Sequence, residues 1–319
     1  MSSTLAAEPS PTFKCPPFQS LTSTLHDSQA PIAARTRAIF YLRTLGGDLA
    51  VTALCKALRD VDSSVLFRHE VAYVLGQMQA SAAVPHLLAV LRDVSDDVIV
   101  RHEAAEALGA IADPATLVDL DIGCSDASSE VAETCSIAAR RVRWVVENGG
   151  VAVAGKEESN PFHSVDPAPS QRVILKTEVP TFAARLIDTS LPLFERYQAM
   201  FSLRNAGTKA AVLALCAGFA DTSPLFRHEI GYVLGQLAHV ASIPALMART
   251  QDENEHDMVR HEAAEALGAI GTGECVDFLA TYEKEGVPRM LKESCEVARD
   301  VVDYWAAGEG EEESPQGKE

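Results

Sequence analysis

Apolar positions recur at three- and four-residue spacing along most of the chain, the period of an α-helix with one buried face. In "SAAVPHLLAVLRDVSDDVIVRHEAAEALGAIADP", Val84, Leu87, Leu88 and Leu91 mark one stripe, and Ile99, Ala104, Ala107, Leu108 and Ile111 mark a second. "DVSDD" between them supplies turn and N-cap residues, and Asp113-Pro114 ends the second helix. No alternating Val/Ile/Thr pattern of comparable strength occurs, so helices alone are expected. A hairpin of this size cannot bury its stripe by itself, and its neighbours must stack on it.

The hairpins repeat. "LFRHEVAYVLGQ" from Leu66 returns as "LFRHEIGYVLGQ" from Leu225, a shift of 159, and "VRHEAAEALGAI" from Val100 returns letter for letter from Val259 at the same shift. Within each half the two segments stand 33 residues apart. "RTRAIFYLRTLGG" from Arg35 matches "RYQAMFSLRNAGT" from Arg196, and "AETCSIAARRV" from Ala132 corresponds to "KESCEVARDVV" from Lys292. The period predicts an all-α fold, an α-solenoid of eight helical hairpins in two pseudo-twofold-related halves. Its halves are expected at 25–147 and 181–305, after a flexible N-terminal extension (1–24) and before an acidic disordered tail (306–319). The Gly-, Pro- and Ser-rich stretch "ENGGVAVAGKEESNPFHSVDPAPSQR" carries neither period and is read as a linker, 148–180, long enough to let the halves close face to face.

Composition narrows the class. With 319 residues, 47% of them hydrophobic, there is ample core material, and no run resembles a membrane span or a signal peptide. A soluble, cytoplasmic protein is therefore expected. Seven widely spaced cysteines, never in a C-x-x-C pair, argue against a disulfide framework and a thiolate zinc site. A formal charge of −18 without a Lys/Arg stripe excludes nucleic acid as a natural partner and favours a cationic one.

The chemistry lies in four His-Glu dipeptides: His69-Glu70, His102-Glu103, His228-Glu229 and His261-Glu262. A ligand set built by duplication should survive the 159 shift, and these four histidines do. His86 falls on Ala245, His239 on Ala80 and His256 on Asp97; His26 falls on Ile187 under a shift of 161, and His163 lies in the linker. Equivalent positions on adjacent second helices are about 10 Å apart, so His69 and His102 can converge, as can His228 and His261 from the other half. Four carboxylates brought into one groove need cations, since an unpaired buried charge costs several kcal/mol. Two divalent metals balance them, each with two His and one or two Glu and with open coordination positions. That donor set suits non-haem iron activating O₂, and two manganese or zinc ions performing hydrolysis would use similar ligands. A metal-free scaffold binding a basic partner is the remaining reading.

Eight helical hairpins with His-Glu inside "LFRHE…YVLGQ" and "VRHEAAEALGAI" resemble the deoxyhypusine hydroxylase family, HEAT-repeat di-iron monooxygenases, from about Leu25 to Trp305. The resemblance implies two Fe ions, O₂ as co-substrate, and hydroxylation of deoxyhypusine on the precursor of translation initiation factor 5A. It implies that the four histidines bind iron, with Glu103 and Glu262 as carboxylate ligands, while Glu70 and Glu229 either join them or hold the substrate's ammonium groups. Glu106 and Glu265, four residues after a ligand histidine, are candidate outer partners of the metal shell. Tyr73 and Tyr232, then Gly76 and Gly235, continue the same strip and are candidate substrate contacts, the glycines otherwise serving helix packing. Arg68, Arg101, Arg227 and Arg260 are expected to pair with carboxylates away from the metals.

Overall fold

The computed structural model describes residues 15–60, 63–149, 160–162, 164–170 and 176–306. Among these the chain forms sixteen α-helices and no strand, in eight successive hairpins. The N-terminal half comprises α1 (Phe18–His26) with α2 (Ile32–Leu45), α3 (Gly47–Leu58) with α4 (Val65–Gln77), α5 (Val84–Arg92) with α6 (Val98–Ile111), and α7 (Leu117–Gly123) with α8 (Ser129–Glu147). The C-terminal half comprises α9 (Val179–Ile187) with α10 (Leu193–Ala206), α11 (Lys209–Ala217) with α12 (Pro224–Leu237), α13 (Ile243–Gln251) with α14 (Asp257–Ile270), and α15 (Gly273–Ala280) with α16 (Arg289–Ala306).

Two devices recur among the hairpins. Ser64 and Ser223 accept the main-chain N–H of Phe67 and Phe226, capping α4 and α12, and Asp97 caps α6 through Ile99. Arg35, Arg68, Arg101, Arg196 and Arg260 each donate Nε–H to the carbonyl ten residues earlier, at the end of the hairpin's first helix. That satisfies an orphan carbonyl which the short interhelical turn leaves behind. Three arginines of the R-H-E motifs then pair with carboxylates outside the groove: Arg68 with Asp96 (2.6 Å), Arg101 with Asp126 (2.5 Å) and Arg227 with Glu255 (2.5 Å). Arg260 differs: its recorded partner is the Thr250 carbonyl, at 3.2 Å.

The second helices stack in order, α2 to α8 and α10 to α16, and each half carries its own apolar core. The halves also meet at both ends, α8 against α10 and α12, and α16 against α2 and α4. Two open solenoids thereby close head to tail into a ring, with α4, α6, α12 and α14 lining its interior. Polar contacts occur at both joints, at the first through Ser223, which donates to Glu133 (2.5 Å). Ile99 and Ile137 of the N-terminal half are buried in the C-terminal core, whereas at the other joint Arg37 pairs with Asp300 (2.6 Å) and Tyr41 meets Tyr304 (3.2 Å).

Two boundaries differ from the sequence expectation. Helix α1 begins inside the expected extension, because Leu21 and Leu25 of "FQSLTSTLH" are buried in the N-terminal core. The linker is not wholly a tether, since Ser164, Val165, Asp166 and Ala168 are buried between the halves. The first part of the extension and the acidic tail beyond 306 lie outside the described residues.

Candidate metal centre

All four His-Glu dipeptides face the ring's interior, on α4, α6, α12 and α14. His102 and His261 have no exposed surface, and His69 and His228 retain 4% and 5%. Within the halves, the ring centroids of His69 and His102 are 5.5 Å apart and those of His228 and His261 are 5.3 Å apart. Between the halves, His69 and His261 are 5.1 Å apart and His102 and His228 are 5.4 Å apart. The expected within-half pairs therefore merge into one cluster of four imidazoles, to which both halves contribute equally.

The carboxylates divide by what they touch. Glu103 lies 3.2 Å from Nε2 of His69 and Glu262 lies 3.4 Å from Nε2 of His228, so each reaches the histidine of the preceding repeat. Glu70 lies 3.2 Å from Nδ1 of its own neighbour His69, and Glu265 lies 3.2 Å from Nδ1 of His261. Glu229 is 1% exposed and its Oε1 has no hydrogen-bond partner.

Six carboxylates and four imidazoles in one buried space shift each other strongly. Burial pulls the His69 imidazole down, but Glu103 and then Glu70 more than offset it, and its pKa ends well above the ordinary value. Burial, and then the neighbouring imidazoles, hold His102 and His261 well below theirs, in the neutral form that a metal requires. Burial pushes the carboxyls of Glu106, Glu229 and Glu265 well above the usual range, helped by Glu103, Glu106 and Glu70 respectively. Without a cation, these directions favour the neutral forms of Glu106, Glu229, Glu265, His102 and His261.

The residues fit a metal. Nε2 of all four histidines and Nδ1 of His102 and His228 are buried without a hydrogen bond, although buried polar atoms are normally satisfied. Among the described residues, three groups have ligand atoms within 4.8 Å of one another: His69, His228 and His261; His69, His102 and Glu103; His261, Glu262 and Glu265. The first of these spans the two halves. The donors are nitrogen and oxygen only, which suits first-row divalent ions other than structural zinc.

Along α4 and α12, the next turn beyond His69 and His228 carries Tyr73 and Tyr232. Their hydroxyls meet at 3.0 Å across the halves. At the turn after that, a Cβ on Gly76 would lie 2.7 Å from Cα of Ala107, and one on Gly235 would lie 3.2 Å from Cα of Ala266. The close neighbour at each glycine is the next helix, which accords with the packing role considered for Gly76 and Gly235.

HEAT repeats match residues 18–109, 51–139, 184–268 and 212–298, spanning both halves. Human deoxyhypusine hydroxylase is 48% identical over 281 residues, covering 88% of this chain and 89% of that protein. The chain belongs to the deoxyhypusine hydroxylase family. The Drosophila melanogaster member is 44% identical over 287 residues, covering 90% of this chain and 92% of its own length; the Danio rerio member is 50% identical over 191 residues, 60% and 61% of the two chains. The structure of human deoxyhypusine hydroxylase in complex with glycerol superposes with a TM-score of 0.83 at 47% identity, covering 90% of this chain and 96% of that one.

For this deoxyhypusine hydroxylase family member, sequence reasoning missed several residues around the cluster. Gln77 and Gln236 recur at the ends of the two "YVLGQ" segments, so the signal was present and only its use was unknown. Asp166 and Arg204 pair in full burial, 1% and 0% exposed; Asp166 lies in the linker, outside any repeat, and Arg204 matches Arg43 at the 161 shift, a recurrence that names no partner for it. Tyr197 is buried with an unpartnered hydroxyl, and the matching position in the other half is Thr36, so no recurrence pointed to it.

Proposed function

We propose that this chain is a monooxygenase of the cytoplasm that uses two iron ions and O₂ to hydroxylate the deoxyhypusine side chain of the translation initiation factor 5A precursor, forming hypusine. Membership of the family supports the reaction. The observation that carries the metal reading is the gathering, from both halves, of four buried imidazoles whose Nε2 atoms have no hydrogen-bond partner. All seven cysteines are free, which suits a reducing compartment, and no helix among the described residues is long and apolar enough to cross a membrane.

His69, His102, His228 and His261, with Glu103 and Glu262, would hold the two irons. Bound iron with O₂ supplies the oxidation of an unactivated C–H bond, which no side chain of the chain can perform. One oxygen atom enters the C–H bond, and the other leaves as water at the expense of two electrons and two protons from an external reductant. Glu70 and Glu265 accept from Nδ1 of His69 and His261 and so orient both rings. Glu229 offers a buried carboxylate oxygen to a substrate ammonium, and the chain's −18 charge draws in a cationic side chain. Burial of the cluster keeps bulk water from the reacting carbon.

The test is incubation of iron-loaded protein with the deoxyhypusine-bearing factor, O₂ and a reductant, followed by mass spectrometry of the modified peptide. Gain of a single oxygen atom is expected. An iron-replete preparation that leaves the peptide unchanged overturns the reading.

A further inference from the structure

Part of the linker is built into the centre. Asp166 has both carboxylate oxygens occupied: Oδ1 by Ser164 (2.6 Å) and Arg204 (2.8 Å), Oδ2 by Arg204 (2.6 Å) and Asn160 (3.1 Å). Arg204 lies on α10, so this anchors the segment to the C-terminal half. From there Val165 reaches the N-terminal half. The Val165 N–H donates to Oε1 of Gln77 (2.8 Å), and Nε2 of Gln77 donates to the Val165 carbonyl (3.2 Å).

Gln236, the counterpart of Gln77 on α12, extends the connection. It accepts from Arg204 at 2.7 Å and donates to the hydroxyls of Ser164 (3.1 Å) and Tyr232 (3.0 Å). Tyr232 in turn meets Tyr73 of the other half at 3.0 Å. An unbroken set of hydrogen bonds thus joins the ends of α4 and α12 through the linker. His69 and His228 stand eight residues further in, about 12 Å along each helix.

We propose that this segment is a strap, with Asp166 and Gln77 as positioning residues. By tying the end of α4 to the end of α12 they hold the Tyr73–Tyr232 contact and the spacing of His69 and His228 across the halves. Such a device bears directly on the cluster, because its shortest imidazole contact, 5.1 Å between His69 and His261, crosses from one half to the other, and the strap adds to the two joints a tie beside the cluster itself. The repeats alone set spacing within a half. The duplicated Gln is explained as well: one copy binds the strap's main chain and the other its side chain. The proposal rests on the metal reading above for its consequence, not for its geometry.

The test uses the full chain in two states. In the metal-free protein, Gln77→Ala and Asp166→Asn should lose the tyrosine near-ultraviolet dichroism that Tyr73→Phe also loses, with the far-ultraviolet helix signal unchanged. Under anaerobic titration with Fe²⁺, both should bind about tenfold more weakly than the parent, the scale of an outer-shell lesion. Gln77→Glu keeps the acceptor for Val165 and should recover part of that loss. If Asp166→Asn unfolds because Arg204 is left uncompensated, Gln77→Ala decides alone. Fe²⁺ affinity of Gln77→Ala within about twofold of the parent, or an intact tyrosine signal, overturns the proposal. A parent that binds no Fe²⁺ refutes the metal reading, and the tyrosine signal then decides whether the strap holds the halves in register.

Discussion

His69 lies closer to His261, in the other half of the chain, than to His102 on the adjacent helix: 5.1 Å against 5.5 Å between ring centroids. A centre built this way is not two half-sites placed side by side. Removing one imidazole should disturb both metals, so His102→Ala or His261→Ala should lower iron from about two per chain to less than one while the protein stays helical. Metal analysis beside far-ultraviolet dichroism makes the comparison. Retention of one tightly held iron would argue for independent half-sites.

Glu70 and Glu229 occupy equivalent places in the repeat but not in the structure. Glu70 accepts from Nδ1 of His69 at 3.2 Å, whereas Oε1 of Glu229 is buried without a partner. Glu70→Gln should therefore weaken iron binding, since an amide orients the ring less well than a carboxylate. Glu229→Gln should leave iron in place and cost a charge-assisted contact to the substrate ammonium. Such a contact is worth about 1.5–3 kcal/mol, so affinity for the deoxyhypusine-bearing factor should fall about ten- to a hundredfold. Iron content and substrate affinity measured on both variants test the division, and identical profiles would reject it.

Gly76 and Gly235 also sit at matching positions with unequal room. A Cβ would come within 2.7 Å of main-chain Cα of Ala107 at the first and 3.2 Å of Cα of Ala266 at the second. Gly76→Ala has to push α4 off α6, and overpacking of this kind costs about 1–3 kcal/mol. Gly235→Ala needs only a few tenths of an ångström and should cost less. Denaturant unfolding of the two variants should rank them in that order, and equal stability would mean that the helix pair relaxes freely.

Periodicity made the fold legible. Eight hairpins follow from the three- and four-residue stripe and the 33-residue period, and the His-Glu dipeptides stood out because four of nine histidines survive the shift of 159. Period cannot reveal what breaks it. The asymmetric parts, Asp166 and the buried Val165, come from a linker that occurs once and reads as solvated by composition, and they give Arg204 a partner that its counterpart Arg43 does not share. Nor could spacing show that the cross-half imidazole distances match those within a half, because that depends on how the two solenoids close. Glu70 and Glu229 were indistinguishable for the same reason: their sequence neighbours are alike, and only the surroundings brought by the other half differ.

The protonation of Glu229 should be visible in stability. Burial, and then the nearby Glu106, raise its carboxyl well above the ordinary 4.5, so the folded metal-free protein keeps a proton there that the unfolded chain releases. The sign follows from linkage. Stability from a group with a raised folded pKa is fully present below the unfolded value and is lost as pH rises through the folded one. Glu229→Gln mimics the neutral acid at every pH. In the absence of metal, the variant's melting temperature relative to the parent should thus rise steadily from pH 4.5 upward. His102 and His261 work the other way. Burial, and then neighbouring imidazoles, hold them below 6.5, so they withdraw stability as pH falls beneath that value. They are common to both proteins and cancel in the difference. Iron compensates the carboxylate charge, so loading the protein should shrink the gap. Thermal unfolding of both proteins, with and without Fe²⁺, across this pH range tests the account, and a gap that stays flat with pH would reject a buried, neutral Glu229.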